Sequence, residues 1–239
     1  RKPFFVWYAP MMPHLPHNPP ARLADKYKPK TPSSFVADYW AMVEWFDETC
    51  GQLLDRLDQK GLAENTIVVY VTDNGWIQRA DRRGASPKSK LSPYDGGLRT
   101  PIMIRWPSKA KPRRSDRLAI SIDLAPTLLN AVGLKPPPDM QGVDMLNDDA
   151  VARRTAIFGE CFTHNAVDIH RPASSLRHRW VIEGEWKLIV PAPHALPNAS
   201  PELYHLVKDQ FEEKNLAEQE AERVEALRQK LDAWWPGKV

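Results

Sequence analysis

Long apolar runs are missing from this 239-residue sequence. The longest, Phe4-Phe5-Val6-Trp7-Tyr8-Ala9, falls far short of the roughly 20 residues that a membrane-spanning helix needs, and it lacks the layout of a signal peptide. Cysteine is scarce as well. Cys50 and Cys161 show no CxxC or metal-ligand spacing, so both read as small buried hydrophobes and leave the redox compartment open. Neither sign of charge dominates: 33 Lys and Arg stand among 30 Asp and Glu, for a net charge of +3. The cations form no single stripe, which argues against a nucleic-acid partner. Glycine is outnumbered, 11 against 23 prolines, and the prolines gather at 10–32, 101–112, 136–138 and 191–201. Such clusters imply rigid connections between short elements rather than a helical bundle.

What remains is the composition of a folded globular protein, 42% hydrophobic and 26% charged, in a chain long enough to bury roughly two-thirds to three-quarters of its unfolded surface. Residues 3–9 and 66–72 are short, apolar on both faces and rich in β-branched or aromatic types, as expected of parallel strands covered by helices. Between them Val36, Trp40, Val43, Phe46, Cys50, Leu54 and Leu57 step by three or four, which predicts a long helix from Thr31-Pro32 to Lys60-Gly61. Strand, helix and strand in that order form a βαβ crossover. A third strand is expected at 101–106, then a helix from Asp123 to Gly133 with Asp123 as N-cap. After Pro136-Pro137-Pro138 the texture changes: strands at 155–160, 178–182 and 185–190, the last two forming a hairpin across Glu183-Gly184, precede a helix over 214–235. The expected organisation is an α/β core over 1–150 and a small α+β subdomain over 151–239, an antiparallel sheet with a helix. The chain opens at Arg1 without Met on an apolar strand, so a preceding part is expected.

Three segments carry candidate chemistry. Asp73-Asn74-Gly75 follows a buried strand directly, and ligands of open α/β sheets bind beyond the carboxyl ends of strands. A carboxylate and an amide there offer oxygen ligands to Ca²⁺ or Mg²⁺; the same three residues are also an ordinary turn. His14 lies in the proline-rich loop Ala9–His17, again after a strand, where a held imidazole suits a positioned acid or anion ligand, or serves structure alone. The stretch from Arg79 to Lys90 is rich in Arg and Lys; it would focus field on an anionic substrate, or is a solvated charge run. Gly96-Gly97 downstream permits backbone geometry or close packing that a side chain would block.

The order of these segments resembles the type I sulfatases of the alkaline-phosphatase superfamily. The carriers are Ala9–His17, Thr72-Asp73-Asn74-Gly75, and Lys90 through Tyr94-Asp95-Gly96-Gly97-Leu98-Arg99-Thr100-Pro101. Asp123-Leu124-Ala125-Pro126-Thr127, Gln141-Gly142-Val143-Asp144, Trp186-Lys187-Leu188, Leu203-Tyr204-His205-Leu206, Asp209 and Asn215-Leu216-Ala217 continue the series. The resemblance covers essentially the whole chain. It implies an alkaline-phosphatase-like, mostly parallel sheet flanked by helices, here without its amino-terminal half, and hydrolysis of a sulfate ester, with a sulfated small molecule or carbohydrate as substrate. By the same resemblance Asp73 and Asn74 are calcium ligands, His14 and Lys90 contact the sulfate and leaving-group oxygen, and His17, His164 and Arg99 line the substrate. Asp95 stands where the family usually has Glu. The family's nucleophile, a formylglycine from a Cys/Ser-x-Pro/Ala-x-Arg motif, is matched by neither Cys50 nor Cys161 and is expected in the missing amino-terminal half, with the remaining calcium ligands. Export to the periplasm or medium is implied by resemblance alone. Two alternatives stay open: a phosphonate or phosphodiester hydrolase of the same superfamily, and a catalytically silent fragment or binding partner.

Overall fold

The computed structural model describes residues 2–237 and contains two compact units that interleave along the chain.

One unit runs as far as Val68 and takes in 77–86 and 106–109. Helix α1, Ala21–Tyr27, packs on the long α2, Ser34–Gln59. Helix α2 starts two residues later than Thr31 predicts. Ser33 is its N-cap, the Oγ accepting the Val36 N–H at 3.2 Å, while Thr31 Oγ1 accepts the Ser33 N–H in the turn before. Gly61, at φ +62°, ends the helix in the left-handed conformation expected there. The buried face is Ala37, Ala41 and Met42, with Leu23 and Ala24 of α1 also buried. Trp40 and Val43 of the predicted stripe are 39% and 40% exposed: alanines, which a count of large apolar residues passes over, give the close helix contact. The strand expected at 3–9 is absent. Phe4, Phe5, Val6 and Trp7 are exposed, since among the described residues nothing pairs with this segment and a strand is held only by its ladder partners.

The other unit holds 69–76, 87–105 and the chain from 110 onward. Strand β1, Val68–Val71, pairs with β2, Ile102–Arg105, and between them lies the single turn α3, Asp95–Leu98. Two further short helices follow, α4 at Leu124–Ala131 and α5 at Asp148–Arg153. Asp123 precedes α4 but does not cap it. Its buried carboxylate accepts from the N–H groups of Ile120 and Val143 and pairs with both guanidinium nitrogens of Arg154 at 2.5 and 2.6 Å. This joins Asp123-Leu124-Ala125-Pro126-Thr127 to the Gly142-Val143 turn.

An antiparallel sheet in the order β3-β4-β5-β6 dominates the unit: Ala156–Phe162, Leu176–Glu183, Trp186–Pro191 and Glu202–His205. The β4–β5 hairpin forms where expected, with Gly184 at φ +56° opening a two-residue turn. Alternation gives the sheet two different faces. Val181, Leu188, Val190 and Leu203 pack on Leu227 and Leu231 of α6, Ala221–Trp234, as one apolar core. Helix α6 starts later than 214 because the segment before it is tied to other groups. Asp209 accepts the N–H groups of Glu213 and Lys214, and Asn215 Oδ1 accepts those of Leu203 and Ala217. The opposite face carries Ile157, Trp180, Ile182, Ile189 and Tyr204, against Tyr94, Leu98 and Ile120.

Candidate active site

In the second unit Asp73, Asn74 and Gly75 leave β1 as a tight turn. The Gly75 N–H donates to Gly97 O at 2.8 Å. A Cβ on Gly75 would lie 2.4 Å from Gly96 O, and one on Gly97 would lie 2.2 Å from Ser89 O. Three backbone segments therefore touch directly: the Asp-Asn-Gly turn, the Gly96-Gly97 turn and the loop carrying Lys90. Side chains at these two glycines would push them apart. Ser89 is fully buried, and its carbonyl accepts both the N–H and the Oγ–H of Ser92. Leu91 takes φ +65°, an uncommon conformation for a non-glycine residue. Lys90 is half-buried and has no hydrogen bond or ion pair among the described residues.

Asp73 is exposed and also lacks a partner among the described residues, while the Asn74 amide nitrogen donates to Gly75 O at 2.9 Å. The donor chemistry suits a hard cation: a carboxylate and an amide oxygen at a strand end. Two residues supply only part of the six to eight oxygens that Ca²⁺ takes, and among the described residues no cluster of three His, Cys, Asp or Glu completes a site.

The Lys90 loop is gripped from the sheet. Lys187 of β5, a central strand, is fully buried, its Nζ 2.9 Å from Asp95 Oδ1 and 2.8 Å from Glu212 Oε1. Glu212 Oε2 accepts the Asp95 N–H at 2.6 Å, and the Glu212 carbonyl accepts from Lys88 Nζ. Burial pushes the Glu212 carboxyl above its usual range, opposed by the Lys187 ammonium. Beside this cluster Tyr94 and Tyr204 both donate to the Glu202 carboxylate, with Lys88 4.6 Å above the Tyr94 ring. Burial first, then the bonds to Glu202, raise both phenols, so both stay protonated. Sequence reasoning matched Lys187 and Asp95 to motifs without linking them. The available signal was a lysine inside an otherwise apolar strand, a position that demands a paired anion.

Arg99 is exposed, 3.9 Å from Asp95 Oδ2. His164 is exposed just beyond β3, where Thr163 Oγ1 donates to Asn165 O. The other two candidate site histidines, His14 and His17, belong to the first unit. His14 is exposed, its Nδ1 2.8 Å from Leu15 O; a carbonyl only accepts, so Nδ1 carries hydrogen and Nε2 is the ring's free edge. His17 is 8% exposed against the Tyr39 ring at 5.4 Å, and burial lowers its pKa below the ordinary histidine value. It therefore favours the neutral ring.

The profile of the family described as Sulfatase matches residues 1–134, and that of N-sulphoglucosamine sulphohydrolase, C-terminal, matches 89–234. An N-acetylgalactosamine-6-O-sulfatase of Bacteroides thetaiotaomicron is 26% identical over 97% of this chain and 47% of its own. An ulvan-active sulfatase of Formosa agariphila is 30% identical over 82% of this chain and 38% of its own. A structure solved for glycosaminoglycan metabolism by Bacteroides thetaiotaomicron superposes with a TM-score of 0.74 at 25% identity, over 90% of this chain and 50% of that one. The chain thus spans about half the length of the curated relatives it matches.

Proposed function

Because this chain belongs to the sulfatase family, we propose that it supplies part of the active site of an enzyme that hydrolyses a sulfate ester of a carbohydrate. The observation that carries this reading is the direct backbone contact, through Gly75 and Gly97, between the Asp73-Asn74 turn and the loop of unpaired Lys90. Cation-ligand oxygens and a free ammonium are thereby held on one rigid piece.

In the overall reaction water adds across the S–O bond, releasing the alcohol and sulfate. As that bond breaks, negative charge collects on the bridging oxygen. Lys90 donates a hydrogen bond or proton there, and the absence of a competing carboxylate partner keeps its ammonium available. Asp73 and Asn74 would hold Ca²⁺, whose chemistry here is to neutralise nonbridging sulfate oxygens. His14 takes the corresponding donor role from the family resemblance, a role its free Nε2 fills only as the imidazolium because Nδ1 already donates to Leu15 O, and Arg99, His164 and His17 take substrate contacts from the same resemblance. Formylglycine as nucleophile, the other calcium ligands and export from the cytoplasm rest on the same resemblance. The segment bearing that nucleophile is proposed as the partner of this one in the whole protein. Names of relatives that act on N-acetylgalactosamine 6-sulfate and ulvan support a sulfated sugar as substrate.

The test is sulfate release from N-acetylgalactosamine 6-sulfate and a chromogenic aryl sulfate by the whole protein in Ca²⁺. Lys90→Ala is expected to lower kcat by about 10²- to 10⁴-fold, the usual contribution of a general acid. Preferential turnover of a phosphonate monoester would move the assignment to phosphoryl chemistry. Wild-type activity in the Lys90→Ala enzyme would remove Lys90 from the reaction.

A further inference from the structure

We propose that Lys187 is a positioning residue for Lys90, acting through the buried pairs it makes with Asp95 and Glu212; this rests on the sulfatase reading of Lys90. The four charges of Lys88, Asp95, Lys187 and Glu212 come from three separate stretches of chain and meet at the sheet face opposite α6. Lys187 sits in register with Tyr204, between the apolar positions Trp186 and Leu188. A leucine or methionine there would fill the same space without desolvating an ammonium. Buried ion pairs are weak sources of stability, so the choice of charge calls for another explanation.

The geometry supplies it. Lys88 is tied to the Glu212 carbonyl two residues before Lys90, and Asp95 is tied to Glu212 and Lys187 five residues after it. Glu212 itself holds φ +55°, a costly conformation for a residue with a side chain. Its carboxylate meets Lys187 and the Asp95 N–H, while its carbonyl accepts from Lys88. The loop is clamped at both ends, Leu91 is kept left-handed at its apex, and Lys90 alone is left to act. Lys88 is spent as an anchor.

The experiment is a double-mutant cycle in the whole protein with Ca²⁺. Asp95→Asn keeps size and the backbone bond to Glu212 but removes the charge that meets Lys187; Lys187→Met tests the other partner. Each is expected to lower kcat by about 10- to 100-fold, the scale of a misplacement near 1 Å, with KM changed less than threefold. Asp95→Glu should restore most of the rate. Added to Lys90→Ala, Lys187→Met should cost almost nothing further, because its effect runs through Lys90; Asp95 also lies 3.9 Å from Arg99, so the cycle is read on Lys187. Full multiplication of the two losses, or a folded Asp95→Asn enzyme at wild-type rate, overturns the proposal. Hydrogen exchange of amides 89–98 is the second readout and needs no substrate. Should the wild type hydrolyse no sulfate ester, faster exchange confined to 89–98 in Asp95→Asn would still support the clamp, and unchanged exchange would overturn it. The functional reading would then have failed on its own.

Discussion

At Gly97 the Ser89 carbonyl oxygen lies 2.2 Å from where a Cβ would be. Gly97→Ala is expected to cost about 1–3 kcal/mol of stability through overpacking, and to lower turnover further by parting the Lys90 loop from the Asp73 turn. Thermal unfolding and kcat of one preparation check both. His17 was read as a substrate contact, and its burial against Tyr39 was not foreseeable from spacing. A buried neutral histidine binds its proton less readily folded than unfolded. The stability it contributes is present above the unfolded pKa of about 6.5 and is lost as pH falls through the lowered folded value. Denaturant midpoints measured from pH 7.5 down to 5 should therefore fall more steeply in the wild type than in His17→Gln. Lys187 shows the limit of linear reading: its chemistry depends on Asp95 and Glu212, which lie 92 and 25 residues away, respectively.

At the level of elements, type was more legible than boundary. The β4–β5 hairpin follows from strand composition plus one glycine, and α2 from its period and its glycine stop. The start of α6 moved because Asp209 and Asn215 hold 213–217 in other bonds, whereas α4 begins after Asp123 as expected although that carboxylate pairs with Arg154. The start of α2 at Ser33 carries its own test. Ser33→Ala removes the acceptor for the Val36 N–H and is expected to cost about 1 kcal/mol, whereas Thr31→Ala should cost less than half as much. Urea unfolding of the two variants distinguishes them. The 3–9 run illustrates the opposite failure: composition suited to a strand does not make one without a neighbour to share its ladder.

For the whole molecule, the α/β class with its added antiparallel sheet and helix was readable because motifs recur in family order over essentially the whole chain. The interleaving of the two compact units was not, since it depends on contacts between distant segments. Phe4, Phe5, Val6 and Trp7 together expose an apolar stretch of the kind that seeks another surface. The 239-residue chain purified by itself is expected to self-associate at micromolar concentration, and a Phe5→Asp, Trp7→Ser variant to do so less; light scattering against concentration measures it.

The two unlike faces of the four-stranded sheet also decide where change is tolerated. Packing against α6 has an apolar centre edged by the Arg179–Asp232 and Lys230–Glu183 pairs, whereas the other side carries the buried grip of Lys187 on Asp95 and Glu212. Changes to Leu227, Leu231 and their neighbours therefore fall on the side of the strands away from the Lys90 loop, while a change at Lys187 reaches that loop directly.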